Sequence, residues 1–155
     1  MKKNTQLKKE KGFVVLFTIL ISSLVLLMAL GISSIATKEA QLSIQSKDAA
    51  RAFFAADTGM ECALYADRHD DAFNLGLLVY CNETPVAVAG SGPYFFYAPV
   101  GVGNDSCVKV TVNKTYNGTQ TQITALGYNT TWDGIDCGEN TPNPRQVERG
   151  YRATY

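Results

Sequence analysis

Gly12-Phe13-Val14-Val15-Leu16-Phe17 opens the stretch that decides the fold, directly behind Lys8, Lys9 and Lys11. From Phe13 to Ala36, 24 residues carry neither a charge nor a proline, about the length a helix needs to cross the hydrocarbon of a bilayer. Beyond Ala36 the chain turns polar but keeps a helical period: Leu42, Ser46, Ala49, Phe53, Ala56, Met60 and Leu64 recur every three or four positions. That spacing sets them on one stripe, with Lys47, Asp48 and Arg51 roughly opposite. Alanine is frequent from Ala49 to Ala66, and alanine loses no side-chain entropy in a helix. The simplest reading is one unbroken helix of about 80 Å, half in lipid and half under a small head.

The chain has 155 residues. Without the apolar run and what precedes it, enough remains for one small domain with its own core. Charge is zero overall but unevenly placed: five lysines against Glu10 leave +4 before Phe13, and the remainder sums to −4. Lysine translocates poorly, so this asymmetry predicts a cytoplasmic N-terminus and a head on the far side of the membrane. All four cysteines, Cys62, Cys81, Cys107 and Cys137, fall in the part expected outside, where an even number reads as two disulfides. No two of them are closer than 19 positions and His69 is the only histidine, a poor basis for a zinc site. No nucleophile motif, phosphate loop or zinc signature points to an enzyme or a cofactor. The basic residues past the leader are scattered along expected strands, which gives little support for a nucleic-acid partner.

Three readings compete for the basic N-terminus. Ser34-Ile35-Ala36 offers a signal-peptidase site, but the apolar run before it is long for a secretory signal. An uncleaved anchor is the second. The third takes the sharp edge at Lys11-Gly12-Phe13, where a short basic leader ends and the apolar helix begins at once. On these residues the chain resembles the type IV pilins and pseudopilins. The resemblance implies that a prepilin peptidase cuts between Gly12 and Phe13 and that Phe13, as mature residue one, is N-methylated. In that family the fifth mature position is usually a glutamate that pairs with a neighbour's amino terminus; here it is Phe17. A carboxylate in lipid is costly unless paired, so Phe17 removes both the cost and the pairing, a departure the resemblance associates with minor subunits at a filament tip. Arg51-Ala52-Phe53-Phe54-Ala55-Ala56-Asp57-Thr58-Gly59-Met60-Glu61 is similar to the alanine-rich helix of PilX-type minor pilins. The resemblance also marks Gly31 as a soft spot of the anchor, because pilin helices often loosen near a glycine when packed in a filament.

The expected fold class is α+β: a long N-terminal helix, transmembrane half then amphipathic half, packed on a small antiparallel C-terminal sheet. The expected divisions are a leader over 1–12, a transmembrane half over 13–36, an amphipathic half over 37–68, a connector loop over 69–93 and a sheet head over 94–155. Tyr94-Phe95-Phe96-Tyr97-Ala98 between two prolines reads as an edge strand. Val108-Lys109-Val110-Thr111-Val112 alternates, and Asn117-Gly118 suits a type I′ turn. A two-residue turn there sets Tyr116 against Thr119, Val112 against Ile123 and Val110 against Ala125, with one apolar face turned onto the Phe53 stripe. Cys107 then lies on the other face opposite Tyr128, under the loop over 129–144, which favours Cys107 with Cys137 and, by elimination, Cys62 with Cys81. Val147, Tyr151, Ala153 and Tyr155 share a parity, as in a last strand with one buried face. Asp133, Asp136 and Glu139 are a weak calcium candidate, since some pseudopilins hold calcium in C-terminal loops.

The functional expectation is a minor pilin-like subunit that starts or caps a filament. Its partners would be other pilin subunits, the assembly machine, the prepilin peptidase and the membrane, and its location the cytoplasmic membrane and then an extracellular filament. The alternatives are a single-pass adhesin or sensor head and a minor pseudopilin of a type II secretion system.

Overall fold

The computed structural model describes residues 11–81, 83–101, 104–116, 118–138 and 144–155. The elements, in order, are helix α1 (Lys11–Arg68), helix α2 (Ala72–Leu75), strands β1 (Val79–Cys81), β2 (Thr84–Val86), β3 (Tyr94–Val100), β4 (Ser106–Tyr116), β5 (Gln120–Tyr128) and β6 (Glu148–Thr154). The class is α+β, one long N-terminal helix with small antiparallel sheets. The chain divides into two compact units, Met1–Ile44 and Gln45–Tyr155.

In the first unit the described residues from Lys11 on are all helical, and the chain covers none of those from Phe13 to Ile44. α1 is unbroken through Gly31, and a methyl group built there would meet nothing within 4 Å.

In the second unit β3-β4-β5-β6 form one antiparallel sheet in that order. One face of it packs on the C-terminal part of α1. Alternation decides which side chains turn inward: Phe96, Ala98 and Val100 of β3, Val108, Val110 and Val112 of β4, and Ile123, Ala125 and Gly127 of β5 are buried. Tyr151 and Ala153 of β6 are half-buried against the same core, but no β6 residue is fully buried and Val147 and Tyr155 lie outside the strand, so the expected buried face is formed only in part, at the edge of the sheet.

The helix meets this sheet along Ala52, Ala55, Ala56, Gly59, Met60, Ala63 and Ala66, all buried. This line corrects the expected stripe. Phe53 is 44% exposed and Leu64 only half-buried, and Phe53 touches the sheet's margin edge-on at Tyr151, ring centres 5.3 Å apart. The reason is distance. A methyl group added to Gly127 would run into the Ala52 carbonyl oxygen and the Ala56 amide nitrogen. One added to Gly59 would lie 2.5 Å from Val108 Cγ2 and 3.0 Å from Val110 Cγ2. At Gly127 backbone approaches backbone, so alanine and glycine dominate the line of contact, with Met60 the one large side chain buried in it, while Phe53 and Leu64 stand beside it.

The β4–β5 register pairs Val112 with Ile123, Val110 with Ala125 and Cys107 with Tyr128, as expected. Near the turn it differs: Tyr116 faces Gln120, not Thr119, with an irregularity between Asn113 and Tyr116. The Asn113 side-chain oxygen accepts the Thr115 amide at 3.1 Å, a local bond that competes with the ladder and takes an extra residue into β4. Gly118 sits at φ 87° and donates to the Thr115 carbonyl at 3.0 Å; Asn117 lies outside the described residues.

The connector over 69–93 is more ordered than a loop. It holds α2 and the β1–β2 hairpin, and it buries Phe73, Val79 and Val86. Phe73 stacks on Phe96 with ring centres 6.4 Å apart, filling the core where the alanine line of α1 leaves room. Three-residue strands, one of them containing Pro85, are too short for a period of two to show.

Gly127→Ala is expected to destabilise the head by about 3 kcal/mol, because a helix backbone must move. Gly59→Ala costs less, since about 1 kcal/mol of helix propensity offsets the clash with valine methyls. Gly31→Ala should leave the head's stability unchanged. Denaturant melts of the three variants check the order.

Candidate functional site

Two regions hold the residues singled out in the sequence, the start of α1 and the loop between β5 and β6. The structure adds a third at the C-terminal end of α1.

At the start of α1, Gly12 lies within the helix and Phe13 is 74% exposed. The Phe17 ring stacks on that of Phe13, one turn away, with centres 6.3 Å apart and planes 12° from parallel. The position where a carboxylate would meet an amine therefore presents an aromatic pair. No part of the apolar stretch of this helix is buried. Three of its hydroxyls bond within the helix: Thr18, Ser22 and Ser23 donate to the carbonyls of Val15, Ile19 and Leu20 at 2.8, 3.0 and 2.8 Å. Backbone and side-chain polar groups closed within one segment are what hydrocarbon demands. The helix is long and apolar enough to cross a membrane.

In the β5–β6 loop, Asp133 accepts the amides of Ile135 and Asp136 through one oxygen, both at 2.8 Å. These two backbone bonds, Asp136 first, hold its carboxyl below the usual carboxylate range. Asp136 accepts the Gly138 amide at 2.7 Å. Both carboxylates thus shape their own turn, and Glu139 lies outside the described residues. Among the described residues no three His, Cys, Asp or Glu side chains gather as a metal would require. The loop is pinned at both ends, since Thr130 Oγ1 donates to the Cys137 carbonyl at 2.7 Å and Asn129 bonds the backbone at Arg145 and Val147. It covers the second small core of Cys107, Tyr128 and Cys137, on the sheet face turned away from α1. The disulfides are Cys107–Cys137, closing 30 positions, and Cys62–Cys81, which ties the connector to α1 across 19.

The third region was not foreseen. Asp67, one of the few buried polar residues and 8% exposed, stands where α1 ends. Lys114 Nζ donates to one of its oxygens and the Tyr155 hydroxyl to the other, each at 2.6 Å. The Arg68 guanidinium lies 4.3 Å above the Tyr155 ring. Helix end, β4 and the residue after β6 are joined at one carboxylate. The bulge in β4 precedes the turn and leaves Lys114 on the inner parity of Val110 and Val112, within reach of Asp67. The partners lie 47 and 88 positions away, so no local pattern announces them. The one hint was an acidic residue in line with Gly59, Ala63 and Ala66.

Burial first, then the hydrogen bond to and the negative charge of Asp67, push the Tyr155 phenol up to about 12, while Arg68 opposes them. The neutral phenol is the form the fold favours. Its stabilisation is complete below the ordinary tyrosine range near 10 and is lost as pH rises through about 12.

No protein-family model, curated protein or solved structure matches the chain.

Asp67→Ala should cost about 3 kcal/mol, because it strands a lysine and a phenol at a part-buried site; chemical denaturation measures it. In a spectrophotometric titration, wild type minus Tyr155→Phe should show one phenol ionising near 12, and Asp67→Asn should bring that midpoint down. Replacing Cys107 and Cys137 together by serine should remove about 3 kcal/mol.

Proposed function

We propose that this chain is a minor pilin-like structural subunit of a type IV pilus or related filament, and that it starts or caps assembly. The observation that carries the reading is the first turn of the apolar helix: a basic leader stops at Gly12, and Phe13 opens an uncovered helix with Phe17 stacked upon it. An exposed apolar helix must find either lipid or the apolar helices of other subunits, and a filament offers the second. Filament subunits of the family the sequence resembles meet through a carboxylate at the fifth position. An aromatic ring there can pack but cannot receive an amine, so the chain can join an assembly at one end more readily than repeat within it. The small α+β head, tied by two disulfides, suits a location outside the cytoplasm.

Mass spectrometry of the mature chain is the test: it should begin at an N-methylated Phe13. A chain beginning at Met1 or Thr37 and never found in sheared surface fibres overturns the proposal. Phe17→Glu should raise the number of copies per fibre, read by quantitative immunoblot against the major subunit.

A further inference from the structure

The two edges of the main sheet are treated differently. β3 is covered: Ala89 and Phe95 exchange both backbone hydrogen bonds, at 2.9 and 2.8 Å, and the β1–β2 hairpin lies against it. β6 ends the sheet, and among the described residues no strand pairs with its far side. Thr121 and Tyr155 exchange both backbone hydrogen bonds, at 2.8 and 3.0 Å. In an antiparallel ladder such pairs alternate, so Ala153, Tyr151 and Arg149 point their backbone groups at β5, in register with Ile123, Ala125 and Gly127. Glu148, Gly150, Arg152 and Thr154 therefore turn their amides and carbonyls outward. The Glu148 carbonyl receives a long 3.4 Å bond from the Arg149 guanidinium.

We infer that the β6 edge is a docking site for an extended, acidic segment of another protein, which would add a fifth strand to the sheet. Backbone groups of a paired strand supply affinity, and side chains along the edge supply selection. The selection here is for negative charge. Arg149 and Arg152 are both exposed, one on each face of the sheet, with Glu148 the single acidic residue of the strand. A strand laid along β6 brings alternate side chains to the two faces in turn, so glutamates on it would meet an arginine on either side. A second copy of this chain would instead set one net-positive edge against another, the arrangement by which charged edges avoid pairing with themselves. The inference concerns the head alone and does not rest on the filament reading.

The test uses the full chain in mild detergent and fluorescent peptides as long as β6. A peptide repeating valine-glutamate-glutamate, which sets glutamates on both faces of the added strand, should bind saturably, and its valine-lysine-lysine counterpart should not. Arg149→Glu with Arg152→Glu should weaken the glutamate peptide about tenfold. Gly150→Pro removes an outward amide and no hydrogen bond to β5, at the cost of displacing the Leu126 side chain, and should abolish binding; should that variant misfold, methylating alternate amides of the peptide blocks the same bonds with the chain unchanged. Equal binding of the two peptides, or binding that survives amide methylation, overturns the inference. So does a doubled mass in light scattering that the charge reversals abolish, because a second copy would then occupy the edge.

Discussion

The head depends on how closely one helix backbone approaches one sheet. Gly127 leaves no room for a methyl group before the Ala52–Ala56 backbone, and Gly59 leaves little before Val108 and Val110. Close approach maximises dispersion contacts between backbones, and it leaves Met60 as the one large side chain buried along the line of contact. The larger groups are displaced to the margins of the core, where Phe73 with Phe96 closes one side and Phe53 with Tyr151 the other. A core built in this way has little apolar volume for its length, so the surrounding restraints matter more than they would around a core of leucines.

Those restraints sit at the places where the chain could otherwise peel away. Cys62–Cys81 holds the connector to α1, and Cys107–Cys137 holds the long loop over the outer sheet face. Asp67 gathers Lys114 and Tyr155 at the end of α1. Small domains commonly need such staples because their surface is large relative to their interior. Each of these three crosses between segments distant in the chain, and each therefore removes a different way of opening.

The apolar half of α1 obeys a different solvent. Its described side chains are exposed, and the hydroxyls of Thr18, Ser22 and Ser23 fold back onto their own helix's carbonyls. The Phe13–Phe17 stack lies just past Lys11, near the start of α1. Packing against lipid or against other apolar helices satisfies such a surface equally well. The head, by contrast, keeps charge at its open strand edge and covers the other.

Periodicity and composition alone determined the uninterrupted helix to Arg68, the α+β class, the inner register of β4 on β5 and the two cysteine pairs. Each is a local signal, or follows from one strand alternating against another. What they could not reveal was which helical face the sheet would choose, because hydrophobicity favours Phe53 and Leu64 whereas contact distance favours Ala52, Ala56 and Gly59. The β4 bulge comes from a side chain bonding the backbone two residues on, and the connector's three-residue strands are too short for a period to show; the helical face and the Asp67 cluster were hidden because their partners lie tens of positions away. Tertiary structure decided them, because steric fit and the pairing of a buried charge are properties of neighbours in space, and a linear pattern records neighbours in the chain.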